Sequence, residues 1–121
     1  RVDSAGTHDW HAGAKPDQRS IAAAARRGID LSTQKSRPIV KSDYSNFDKI
    51  FVMDHDNYRI LQSMKPPNTC VQIDYFLKFS PNLGLLEMPD PYYGGPKDFE
   101  GILDMAEQAS RGLLEDILAK T

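Results

Sequence analysis

Phe47-Asp48-Lys49-Ile50-Phe51-Val52-Met53-Asp54 decides the fold. After Lys49 the run is apolar without a break. A strand with one solvated face alternates apolar and polar residues. An unbroken run suits a strand buried on both faces, as in a parallel sheet. Asp54 follows as a helix cap, and a helix is expected through about residue 64. Its faces carry Tyr58 with Leu61, and Ile60 with Met64. Lys65-Pro66-Pro67-Asn68 stops it, because proline lacks an N–H and crowds the preceding turn. Residues 71–79 alternate loosely and are expected to hold the next strand.

Upstream, residues 2–4 read as a strand leading into a loop over residues 5–15. Pro16-Asp17 opens a helix in which the Asp17 carboxylate meets free backbone N–H groups. Residues 21–25 are rich in alanine, and Gly28 closes the helix. Arg26-Arg27 at its end complements the helix dipole. Ser42-Asp43 caps a short helix to about Phe47. Downstream, residues 80–95 form a long loop punctuated by Pro81, Gly84, Pro89 and Pro91. A last helix is expected over residues 98–118, with Ile102, Met105, Ala109, Leu113 and Ile117 as its apolar stripe.

Strands alternating with helices imply an α/β fold with a parallel sheet. Ligands in such sheets sit beyond the carboxyl ends of the strands. Three segments are therefore expected on one rim: the loop after Ser4, the helix start at Asp54, and the loop around Asp90.

The 121 residues suit one domain with one core, spanning residues 1–121. The 17 acidic residues outnumber the 15 basic ones, which gives no footing to a nucleic-acid or membrane-surface role. Cys70 is the single cysteine, so no internal disulfide and no cysteine metal cluster can form. That usage fits a reducing, cytoplasmic setting. No apolar run approaches the roughly 18 residues a membrane helix needs. The chain opens inside an expected strand and without methionine, which predicts a preceding segment.

Asp90 is the first candidate for chemistry. Pro89 and Pro91 flank it, and Tyr92-Tyr93-Gly94-Gly95 follow. Pro91 biases Asp90 toward extended geometry. The spacing leaves two readings: turn punctuation beside surface tyrosines, or a carboxyl held at a fixed angle to protonate a leaving group. Trp10 either stacks on a flat ligand or folds back on the core. His8 and His11 lack a third ligand at convincing spacing, so no metal site is expected. Cys70 is followed by Val71-Gln72-Ile73-Asp74-Tyr75-Phe76, with no glycine, arginine or helix start to cradle an anion. It reads as a buried or half-buried structural residue. Neither a P-loop nor a serine nucleophile elbow is present.

Four stretches in order resemble the low-molecular-weight protein tyrosine phosphatase family: Val2-Asp3-Ser4-Ala5-Gly6-Thr7, Pro16-Asp17-Gln18-Arg19, residues 47–54, and Asp90-Pro91-Tyr92-Tyr93-Gly94. The resemblance runs from Val2 to about Leu118. It implies a four-stranded parallel Rossmann-like sheet with helices on both faces. It also implies hydrolysis of phosphotyrosine protein or aryl phosphate through a phosphocysteine, without cofactor or metal. Asp90 would be the acid and base. Trp10, Tyr92 and Tyr93 would line the substrate pocket, and Ser4 and Asp54 would support the phosphate loop. Gln34 stands where members often carry a histidine. The family's C-x5-R loop, first strand and first helix would precede Arg1. Without them the 121-residue chain is expected to be inactive, poorly stable as a monomer, and prone to self-association through bared sheet edges. Arsenate reductase and phosphoarginine phosphatase activities on the same scaffold, and a non-catalytic truncated pseudophosphatase that docks a partner, are the alternatives.

Overall fold

The computed structural model describes residues 2–7, 13–89 and 96–120, with residues 96–98 described as backbone only. Four α-helices and two strands are described, in the order α1 (Gln18–Ala25), α2 (Asp43–Asn46), β1 (Lys49–Val52), α3 (His55–Met64), β2 (Gln72–Tyr75) and α4 (Pro96–Ala119). β1 and β2 pair in parallel, with Lys49 opposite Gln72 and Val52 opposite Tyr75. Helix α3 is the crossover between them and packs on both. This is the βαβ unit that the apolar run at residues 49–53 predicts.

Helix starts follow local chemistry. The Asp17 carboxylate accepts the Arg19 N–H at 2.8 Å, and the Asp54 carboxylate accepts the Asn57 N–H at 2.7 Å. Each satisfies a donor that no intrahelical carbonyl can reach. Helix α1 ends at Gly28, whose φ of 77° lets the Ile29 N–H return to the Ala24 carbonyl at 2.9 Å.

The core lies between α2, β1, α3 and the entry to β2. Tyr44, Val52, Leu61 and Val71 are buried together, with Ile39, Ile50, Tyr58, Met64, Ile73 and Tyr75 packed on them. The Tyr44 hydroxyl donates to the Leu61 carbonyl at 2.8 Å. A second packed layer joins α1, α4 and the turn after β2. Ala23, Ala24, Leu77 and Ala109 have no exposed surface there.

Several expectations change. Residues 2–4 form no strand: Val2 is 99% exposed, and the arm's recorded pairing is an isolated parallel bridge, Gly6 to Pro38. An extended segment becomes a strand only beside a ladder partner, and none is described along residues 2–5. The parallel α/β fold stands, with two of the four expected strands among the described residues. β1 is accordingly half-buried, with only Val52 fully inside.

β2 stops at Tyr75, and Phe76–Phe79 winds into a 3₁₀ turn. Three bulky apolar residues in succession, Tyr75-Phe76-Leu77, cannot all face one side of a strand. The turn places Leu77 wholly inside, while Lys78 pairs with Asp74 one turn back. A second 3₁₀ turn, Pro81–Leu83, interrupts the expected long loop and ends at Gly84 with φ 66°. Cys70 is exposed, not buried. Its neighbour Val71, just before β2, takes the inward position instead. On α4, Ala109 is buried as expected, whereas Ile117 is 42% exposed near the helix end.

Candidate active site at the carboxyl rim

β1 and β2 point their carboxyl ends at the same rim, and three chain segments meet there. Met53, just past β1, accepts the Met88 N–H at its carbonyl, 2.7 Å away. This ties the loop that enters Asp90 to the end of β1. Asp54 caps α3, and Asn57 in the first turn reaches two ways. Its amide oxygen lies 3.4 Å from the Met53 N–H, and its amide nitrogen donates to the Thr7 hydroxyl at 3.3 Å. The loop after Ser4 thus arrives at the rim through Thr7. That loop is held from behind by Gly6, which bonds both Arg37 and Ile39 through its backbone at 2.8 Å.

An aromatic and polar group completes the rim. The His55 Nδ1 lies 2.7 Å from the Tyr75 hydroxyl. Tyr75 stacks on Tyr58, with centroids 5.2 Å apart and planes 12° from parallel. Desolvation pushes the Tyr75 phenol up, and the neighbouring Tyr58, Glu87, Asp54 and Asp74 reinforce that direction. The Glu87 carboxylate accepts the His55 backbone N–H at 2.9 Å. A cleft opens here, lined by Asp54, His55 and residues 84–89.

The expected site residues fall into two sets. Asp90, Trp10, Tyr92 and Tyr93 lie outside the described residues, as do His8 and His11. Asp54 is at the rim, half-buried, with its carboxylate on Asn57. Ser4 is exposed, and its N–H donates to the Asp3 carboxylate at 2.8 Å. Gln34 is also exposed, in a turn where its N–H meets the Leu31 carbonyl at 3.1 Å. Sequence reasoning missed Thr7, His55, Tyr75 and Glu87. For His55, Tyr75 and Glu87 the signal was positional: each lies within a few residues of a strand end or of Asp90. Among the described residues, no group of three or more His, Cys, Asp or Glu could hold a metal ion.

Known proteins resemble this chain in sequence and fold. The family model described as "Low molecular weight phosphotyrosine protein phosphatase" matches residues 1–121. The Homo sapiens low molecular weight phosphotyrosine protein phosphatase is 36% identical, over 95% of this chain and 73% of its own length. A low molecular weight protein-tyrosine-phosphatase of Streptomyces coelicolor is also 36% identical, over 93% of this chain and 70% of its own. The crystal structure of a protein tyrosine phosphatase from Entamoeba histolytica, with Hepes in its active site, superposes with a TM-score of 0.90. It is 38% identical and aligns with 98% of this chain and 75% of that one. A drosophila arginine phosphatase superposes at 0.82 with 28% identity, covering 95% of this chain and 76% of that one. The parallel βαβ unit, the carboxyl-rim cleft and the match along the whole chain agree: the chain belongs to the low molecular weight phosphotyrosine protein phosphatase family.

Proposed function

We propose that this chain is the acid-bearing part of a phosphotyrosine-protein phosphatase. The observation that carries the reading is the Met88–Met53 bond, which delivers the chain entering Asp90 to the strand rim of a family fold. These 121 residues contain no C-x5-R loop: Phe76 stands six positions after Cys70, the single cysteine. Turnover therefore needs such a loop from residues outside 1–121. In the reaction, a cysteine thiolate attacks phosphorus and the bond to the phenolic oxygen breaks. Asp90 gives its proton to that oxygen. The Asp90 carboxylate then takes a proton from the water that hydrolyses the phosphocysteine, freeing inorganic phosphate and the thiolate. Trp10, Tyr92 and Tyr93 wall the aryl group, while Ser4 and Asp54 brace the phosphate loop. The proposed setting is cytoplasmic, from the single-cysteine usage of the sequence; among the described residues no helix is long and apolar enough to cross a membrane.

Residues 1–121 alone are expected to release no phenol from an aryl phosphate, whereas the complete phosphatase does so. Asp90→Asn in the complete protein is expected to lose most of that activity. Full activity in that variant removes Asp90 from the acid role. The likeness to the drosophila arginine phosphatase supports a second reading, a phosphoarginine substrate. Parallel assays on phosphotyrosine and phosphoarginine peptides separate the two.

A further inference from the structure

Residues 87–89 lead into Asp90, and two bonds hold them to the rim. One is the main-chain bond from Met88 to Met53, which any side chain at 88 permits. The other depends on residue type. Glu87 Oε1 accepts the backbone N–H of His55, the first residue of the ten-residue helix α3, at 2.9 Å. A carboxylate there satisfies an orphan donor and meets the positive end of the helix dipole. The His55 side chain sits beside the same carboxylate, with Nε2 3.9 Å from Glu87 Oε2. Its other nitrogen is engaged by the Tyr75 hydroxyl, and Tyr75 is itself stacked on Tyr58. A side-chain relay thus runs from the end of β2, through His55, to Glu87.

Asp90 follows Glu87 by three residues, and Pro89 restricts the chain between them. Holding Glu87 anchors the chain three residues before Asp90. We propose that Glu87, seated on the start of α3 and flanked by His55 and Tyr75, is a positioning residue that sets the placement of Asp90 against the leaving group. This rests on the reading of Asp90 as the acid. Glu87 and His55 have 49% and 63% of their side chains exposed, so variants at Glu87 should fold.

The test uses the complete phosphatase and two aryl phosphates. Phenyl phosphate has a poor leaving group that needs a proton. 2,4-Dinitrophenyl phosphate departs without one. For Glu87→Ala, kcat/KM on phenyl phosphate should fall about tenfold, while the value on the dinitrophenyl ester should stay within about twofold. Glu87→Gln, which keeps an oxygen for the His55 N–H, should recover most of the loss. Tyr75→Phe, which frees the imidazole, should shift the same ratio in the same direction. An equal loss on both substrates, or no loss, overturns the positioning role. Asp90→Asn run alongside separates the two ideas: no leaving-group dependence in that variant overturns the acid reading itself. A strong dependence in Asp90→Asn with none in Glu87→Ala overturns only the positioning role.

Discussion

Two buried polar side chains fix the approach to β1. Asp43 is 6% exposed and accepts from both terminal Arg37 guanidinium nitrogens, at 3.0 and 3.1 Å, and from the Val40 N–H at 2.9 Å. The ion pair raises the Arg37 guanidinium further, with Asp43 as the leading cause. Tyr44, 2% exposed, spans the core to the Leu61 carbonyl. Tyr44→Phe keeps the ring and loses the bond, which should cost about 1 kcal/mol in a denaturant titration. At this scale the sequence was most legible where chemistry is local. The Asp17 and Asp54 caps follow from one side chain and the next three N–H groups. Cys70 was misread because its exposure depends on which face Val71 takes, and that is set by packing across the sheet.

Between elements, α1 and α4 are joined by charge. Arg26 and Arg27 both reach Glu100 at 2.7 Å, and Arg27 also meets Asp104 at 2.9 Å and Glu107 at 3.2 Å. Arg19 lies over the buried Phe99 ring, 4.6 Å from its centroid. From sequence, Arg26-Arg27 was only a dipole complement, since partners over seventy residues away leave no local trace. The Arg27 and Arg26 hydrogen bonds hold the Glu100 carboxyl below its ordinary value. Asp17 is lowered likewise by Arg19. A carboxylate lowered in the folded state stabilises above its unfolded pKa, and that gain disappears as pH falls through the folded value. Thermal stability should thus hold above the ordinary carboxylate range, about pH 4–4.5, and decline below it. Added salt should flatten the decline, because these pairs remain partly exposed. Circular-dichroism melts from pH 6 to pH 3, at low and high salt, check both. α4 also presses on the turn after β2: a Cβ on Gly112 would run into the Phe79 carbonyl oxygen. Gly112→Ala should cost about 2–3 kcal/mol despite the better helix propensity of alanine, read from the same melts.

For the whole molecule, the α/β class was legible because an unbroken apolar run leading into a capped helix has few other solutions. The arm at residues 2–5 was not, since alternation alone cannot supply a ladder partner. Val2, Met53, Leu85 and Leu86 leave apolar surface exposed, at 99%, 41%, 43% and 47%. The 121-residue chain alone should self-associate, giving a sedimentation profile that shifts with concentration; a sharp monomer peak at every concentration would count against this. We infer that Asp90 is the proton donor of a phosphocysteine enzyme. The most direct test is the pH dependence of kcat/KM on phenyl phosphate for the complete phosphatase, with and without Asp90→Asn. An alkaline decline is expected in the wild type as the acid loses its proton. The variant should lie about 10²–10⁴-fold lower, with that decline gone. A variant whose profile matches the wild type in height and shape would contradict the claim.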